Sequence, residues 1–183
     1  MRVRAVWTIP FLAIAGTAVA ANSWKSFRFE DDRFAIDFPD APVTTNQGFN
    51  AGTMVRTRQY YVGIKSYTFI VSATLFRYEA REEIGGDERL LRLLIDIFVA
   101  HCASHGERPV LIRGAAGREV HAENCERGPA TMARYYLVDD RLYQLIVVGP
   151  TGMGTSIETQ HFMRSFRKSG SSAFPIRLSI APN

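Results

Sequence analysis

The sequence predicts an α+β fold built on an antiparallel sheet, and three observations lead there. Apolar residues alternate with polar ones in short runs, and the runs come in neighbouring pairs divided by turn signals. Two other segments repeat apolar residues at helical spacing, so the order reads as four strands, a helix, four strands, a helix. The run from Leu142 to Val148 is nearly all apolar, as expected of a central strand covered on both faces. Strands joined as successive hairpins argue against a Rossmann arrangement, in which strands and helices alternate.

The chain opens with a leader-like segment. Arg2 and Arg4 precede an apolar run from Ala5 to Ala15, Gly16 and Thr17 interrupt it, and Ala18-Val19-Ala20 closes it with small residues. That layout is expected of a secretory signal peptide cleaved near Ala20, with delivery to the periplasm or the exterior. The apolar run is shorter than the roughly 20 residues a membrane span needs, and Pro10 sits within it. An uncleaved anchor is the alternative. Removing the first 20 of 183 residues leaves 163, enough for one domain with a sizeable core. The formal charge of +4 includes Arg2 and Arg4, so the remaining chain carries +2. Lys occurs only at Lys25, Lys65 and Lys168, and no basic run exists. This balance gives no footing for nucleic-acid binding, and no later segment is long and apolar enough to cross a membrane.

Phe27 and Phe29 alternate with polar residues, as do Phe34, Ile36 and Phe38, and Asp31-Asp32 between them reads as a hairpin turn. Pro39 and Pro42 then predict a loop continuing through Gly48 and Gly52. A third strand is expected from Thr53 to Val62, with Arg56 and Arg58 on one side. A fourth carries Tyr67, Phe69, Val71, Ala73 and Leu75 on one face. Gly85-Gly86 ends this half. Asp87 is a candidate N-cap, and Leu91, Leu94, Ile95, Phe98 and Cys102 then predict a helix from Glu88 to His105, stopped by Gly106.

Short strands follow, from Val110 to Arg113 and from Gly117 to Glu123. Thr131 to Val138 and Leu142 to Val148 form a hairpin around Asp139-Asp140, which sets Tyr136 opposite Tyr143. Thr155 and Glu158 have capping-box spacing at the start of a helix that turns Ile157, His161 and Phe162 or Met163 to the sheet and ends near Arg167. Residues 169–183 make a Gly/Ser spacer and a tail in which Phe174, Ile176, Leu178 and Ile180 alternate with other residues. The tail is expected to add an edge strand or to dock elsewhere. The expected domain therefore runs from residue 21 to 168.

Three motifs within this order carry a family resemblance: F-A-I-D-F-P-D-A-P from Phe34 to Pro42, A-R-Y-Y-L-V-D-D-R-L-Y-Q-L-I-V-V-G from Ala133 to Gly149, and F-M-R-S-F-R from Phe162 to Arg167. Together they resemble the PsbP-like family, over most of the stretch from Trp24 to Lys168. The resemblance implies an antiparallel sheet with helices on both faces, an α/β/α sandwich. It also implies a binding or assembly factor without catalytic residues. It implies no role in oxygen evolution, because the general residue content departs from that of the photosynthetic members.

The cysteines, Cys102 and Cys125, are even in number and are expected to form a disulfide in an exported protein; two separate buried thiols are the alternative. His101 and His105 are spaced i, i+4 and would share a helical face; with His121 and the cysteines nearby they make a candidate metal or small-ligand site. Their spacing is looser than a zinc-finger pattern, and cysteines in an oxidising compartment prefer each other. The loop from Gly149 to Ser156 is glycine-rich between a strand and a helix, but it lacks the Lys and Ser/Thr of a phosphate-binding loop. Asp31-Asp32 and Asp139-Asp140 could hold calcium or do acid–base work, yet turn chemistry accounts for both. Neither a G-x-S-x-G elbow nor H-E-x-x-H is present. The tyrosines at 60, 61, 67, 135, 136 and 143 belong to strands. The leading expectation is an exported, non-enzymatic accessory or protein-binding module that needs no cofactor and meets a periplasmic protein partner. A ligand- or metal-binding protein using His101, His105 and His121 comes second, and a hydrolase with a scattered site third.

Overall fold

The computed structural model describes residues 24–47, 54–76, 82–112, 115–126 and 128–169. The leader, the tail beyond Ser169, the glycine stretch from Gly48 to Gly52 and the turn at Gly114 lie outside the described residues. Among the described residues, ten strands form two antiparallel sheets. A small sheet holds β1 (Lys25–Phe29), β2 (Phe34–Phe38) and the two-residue β10 (Arg167–Lys168), in the order β1-β2-β10. The large sheet contains β3 (Val43–Gln47), β4 (Met54–Ile64), β5 (Tyr67–Phe76), β6 (Cys102–Ile112), β7 (Ala115–Cys125), β8 (Gly128–Val138) and β9 (Arg141–Gly149). Its order is β3-β4-β5-β9-β8-β7-β6, two meanders joined at β5 and β9. Helix α1 (Asp87–Val99) connects the meanders, and α2 (Ile157–Ser165) follows β9.

Layers cover both faces of the large sheet, though not with helices on each, as the sequence leads one to expect. One face carries α1. The other carries the small sheet together with the short α2, so that layer is mostly strand. Phe34, Ile36 and Phe38 on β2 are fully buried, each gaining about 2 kcal/mol from burial. Phe34 stacks on Phe166, and Phe38 packs on Phe162, which also meets Phe69 of β5. Tyr136 and Tyr143 are register partners, as the hairpin spacing predicts, and both contact Phe166. Gly117 lies opposite Tyr136; a Cβ there would stand 2.3 Å from the Tyr135 carbonyl oxygen, so the strands fit only with glycine.

Several boundaries move from their predicted places, each for a local reason. The loop expected after Pro42 contains β3, a polar edge strand (V-T-T-N-Q) that hydrophobic alternation cannot reveal. The third strand, expected from Thr53 to Val62, is described from Met54 and continues to Ile64. Helix α1 starts on Gly86 as N-cap, with Asp87 and Glu88 in its first turn facing the positive end of its dipole. It ends at Val99, not His105. Cys102 extends the apolar spacing of the helix, but the chain from Cys102 to Ile112 is a strand paired with β7, and Gly106 sits inside it opposite His121. The two short strands expected around Val110 and Gly117 are thus eleven residues each. A 3-10 turn at Met153–Thr155 takes up Thr155, so Ser156 caps α2 and its Oγ accepts the Thr159 N–H at 3.1 Å. Ile157 points to solvent while Phe162 and Met163 are buried. Beyond Ser165 the chain extends, and Arg167 and Lys168 pair with β2 instead of prolonging the helix.

Two buried carboxylates fasten the small-sheet layer. Asp32, in the 3-10 turn Glu30–Asp32, accepts the Tyr60 hydroxyl at 2.6 Å and Arg56 at 3.3 Å, while the Tyr143 hydroxyl donates to its backbone carbonyl at 2.9 Å. Burial, then the bond to Asp32, pushes the Tyr60 phenol up to about 12. Glu119 on β7 is fully buried. Its carboxylate accepts Arg108 at 2.5 Å, Arg134 at 2.5 Å and His121 at 2.9 Å, and Arg134 also donates to the Met163 carbonyl of α2 at 2.9 Å. Burial alone would raise the Glu119 pKa; the three donors outweigh it and bring it down to about 2.

A carboxylate whose pKa falls on folding stabilises the fold above its unfolded value and stops doing so as pH drops through the folded value. The Glu119 contribution, roughly 3 kcal/mol, is therefore lost between about pH 4.5 and about pH 2. Urea unfolding followed across this window should show a steep loss of stability in the wild type. Glu119→Gln should be less stable at neutral pH and should flatten the acid slope. An unchanged slope would place the acid sensitivity elsewhere.

Candidate functional site

Directly opposed residues of an antiparallel pair share a face, so the register sorts the large sheet's side chains. Gln59, Ser72, Gln144 and Tyr135 form one row on the α1 side; Tyr61, Ile70, Ile146 and Ala133 form the next. Helix α1 packs on β6, β7 and β8 through Leu90, Leu91, Ile95 and Val99. Beside it, over β4, β5 and β9, lies an open groove of about 380 Å³. Leu94, Ile97 and Phe98 form its helix wall, and Ile70, Ile146 and Val148 its sheet floor. Ile97 is 63% exposed although it sits on the same helix as the core residues. The apolar surface of α1 is thus wider than the stripe its packing uses, and the surplus turns to the groove. The polar groups there are Gln59, Gln144, Thr131 and Tyr135, together with His101 and Glu126.

Cys102 and Cys125 are register partners at the end of the β6–β7 hairpin and are joined by a disulfide that lines this groove. The histidines proposed with them do not converge. His101 precedes β6 and lies 3.5 Å from Glu126. His105 stands opposite Ala122 and His121 opposite Gly106, so those two rings project to opposite faces of the sheet. His121 meets Glu119 and packs against Gly154, on the α2 side. The i, i+4 argument required a helix, and the segment is a strand. Among the described residues no group of three or more His, Cys, Asp or Glu is placed to hold a metal ion.

The glycine-rich loop uses its own amides. Met153 N–H donates to the Pro150 carbonyl, Thr155 N–H to Gly152 and Ser156 N–H to Met153, so these donors are turned inward and away from any phosphate. Asp139 adopts φ 55°, and Asp139-Asp140 forms the tight β8–β9 turn, with Lys168 on Asp139 at 2.6 Å and Arg141 on Asp140 at 3.2 Å. Of the other pair, Asp31 is exposed and meets Arg58, whereas Asp32 is the buried fastener described above. Sequence reasoning reads both pairs as turns; it misses Asp32's burial, for which only the Arg56, Arg58 and Tyr60 row on β4 gave a signal.

A second recess, about 480 Å³, brings Asp37, His161 and Ser165 together beside α2. His161 Nε2 lies 3.0 Å from Asp37 Oδ2, Arg167 reaches the same carboxylate, and the imidazole packs at a tilt on Trp24 with ring centroids 4.5 Å apart. This is the scattered acid, base and hydroxyl that a hydrolase would need, but the hydroxyl is engaged otherwise. Ser165 Oγ accepts the Asp37 N–H at 3.0 Å and donates to the Phe162 carbonyl at 2.9 Å. Its proton points into the helix backbone, not to His161. The trio joins α2 to β2.

The architecture is that of the PsbP-like fold. Cyanobacterial PsbP from Synechocystis sp. PCC 6803, known from its solution structure, superimposes with a TM-score of 0.52 at 9% sequence identity, covering 82% of this chain and 95% of that one. The Ran-binding protein Mog1p of Saccharomyces cerevisiae aligns with a TM-score of 0.46 at 9% identity, covering 81% and 97%. At such identity the likeness is one of fold. No protein-family model and no curated protein matches the sequence.

The disulfide closes a loop spanning 23 positions, worth about 3 kcal/mol in the chain-entropy account. Non-reducing peptide mass spectrometry should recover Cys102 linked to Cys125, and reduction should lower the denaturation midpoint. Two free thiols in native protein, or a midpoint indifferent to reductant, would refute this role.

Proposed function

We propose that the chain is an exported, non-enzymatic accessory protein that holds an apolar segment of a partner protein in the groove between α1 and the uncovered strands of the large sheet. The observation carrying this reading is the groove itself. It is a concavity with an apolar helix wall and floor, His101 and Glu126 paired among its lining, beside a helix that turns the exposed Ile97 to it. Glu119, Asp32 and Ser165, the buried acids and the hydroxyl nearest a histidine–acid pair, are occupied in structural contacts. The PsbP-like fold, whose family resemblance implies binding and assembly factors, points the same way by analogy. Export to the periplasm or beyond is supported by the leader layout and by the pairing of the cysteines. No helix among the described residues is long and apolar enough to cross a membrane.

Photo-crosslinking in the native cell tests the reading. A photoreactive residue at Ile97 should capture a protein that is not captured from Leu111 or Ile157, which are more exposed but lie elsewhere. Ile146→Asp on the groove floor should abolish that capture. Equal capture from all three positions, or none from Ile97, would overturn the groove as the partner site.

A further inference from the structure

We infer that the groove holds its partner as an extended peptide segment, whose backbone is read by the Tyr135 hydroxyl and the Gln144 carboxamide. The inference rests on the reading of the groove as the partner site and adds the form in which the partner is bound. Tyr135 carries the argument. It is 1% exposed, and its ring meets Phe98 edge to face with centroids 6.0 Å apart. Its hydroxyl has no hydrogen-bond partner among the described residues. Burial therefore pushes the phenol's pKa up with no neighbouring group to offset it. Tyr60 and Tyr143, buried on the other face of the sheet, both donate to Asp32. A phenol this enclosed ordinarily finds an acceptor too. Among the described residues no side-chain nitrogen or oxygen is both fully buried and unpartnered. The Tyr135 hydroxyl is thus open on one side, and the groove is the space that Tyr135 lines.

Gln144 stands beside it. It is the register partner of Tyr135 on β8 and of Ser72 on β5, and it lines the same groove. Its carboxamide, which can both donate and accept, has no partner among the described residues either. At the far end of the row, Gln59 gives its amide N–H to Ser72 at 3.3 Å and keeps its carbonyl oxygen. Three strand spacings separate Gln59 from Tyr135, roughly 14 Å, the length of about four extended residues. The apolar row of Ile70 and Ile146 runs next to this polar one. Such a floor selects among occupants. An extended peptide has free N–H and C=O groups for the polar row and side chains for the apolar row. A helix has spent its backbone groups internally, and an acyl chain has none along its length. Either would cover Tyr135 and Gln144 and leave them unpaired, which weakens binding by about tenfold or more.

The probe is a synthetic peptide of the segment crosslinked from Ile97, titrated against the oxidised full chain. Tyr135→Phe removes a hydroxyl that no internal contact uses, so it should leave the denaturation midpoint unchanged and weaken the peptide about tenfold. Gln144→Leu, which keeps the bulk of the side chain and removes the carboxamide, should weaken it similarly. Peptides N-methylated at one amide each should lose affinity at alternate positions, because successive N–H groups of an extended chain point to opposite sides. Undiminished affinity in either variant, a lowered midpoint in Tyr135→Phe, or losses at every successive amide, as a helix would give, would overturn the extended, backbone-read mode and leave the groove as the partner site. No crosslinked protein from Ile97 in the wild type would overturn the groove reading itself, and this inference with it.

Discussion

Eight cross-strand pairs, from Thr68 against Val148 to Leu75 against Arg141, hold β5 to β9 at the centre of the large sheet. Every other feature of the molecule depends on this seam. Without it the two meanders would each present an open edge and two half-apolar faces. With it they share one continuous surface on which Phe69, Val71, Leu145 and Val147 meet the small sheet and α2. The seam also sets the breadth of the opposite face, which is wider than a single helix of about 10 Å can cover. The groove is the remainder.

The polar fastenings are secondary in energy but decisive in placement. The aromatic contacts around Phe34, Phe162 and Phe166 would tolerate sliding between the layers. The hydrogen bonds from Tyr60 and Tyr143 to Asp32, and from Arg134 to both Glu119 and the Met163 carbonyl, each define one position. They join elements far apart in the chain, and their directional demands fix the small sheet and α2 over the large sheet.

What the sequence disclosed follows from what local pattern can carry. The β1–β2 and β8–β9 hairpins and the pairing of Tyr136 with Tyr143 were legible because alternation and a short turn are local properties. The end of α1 was not, because Cys102 falls on the apolar spacing of the helix and only its partner strand shows otherwise. Edge strand β3 was hidden by its polarity, and the cap of α2 was displaced one residue by a 3-10 turn. The groove left only an indirect trace: α1 has an apolar residue at Ile97 beyond the stripe of Leu90, Leu91, Ile95 and Val99. The histidines drew attention by spacing alone, and spacing has no meaning until the element is known.

The order of the strands also says something about how the chain comes to be folded. Each meander consists of neighbouring segments that can find one another early, whereas the β5–β9 seam joins residues that are remote in sequence, with α1 and three strands between them. Closure of the seam carries a loop-entropy cost that pairing within each meander does not. Until it closes, β5 and β9 are bare edges made of some of the most apolar sequence in the protein. The interval before closure is when the chain is most exposed to self-association.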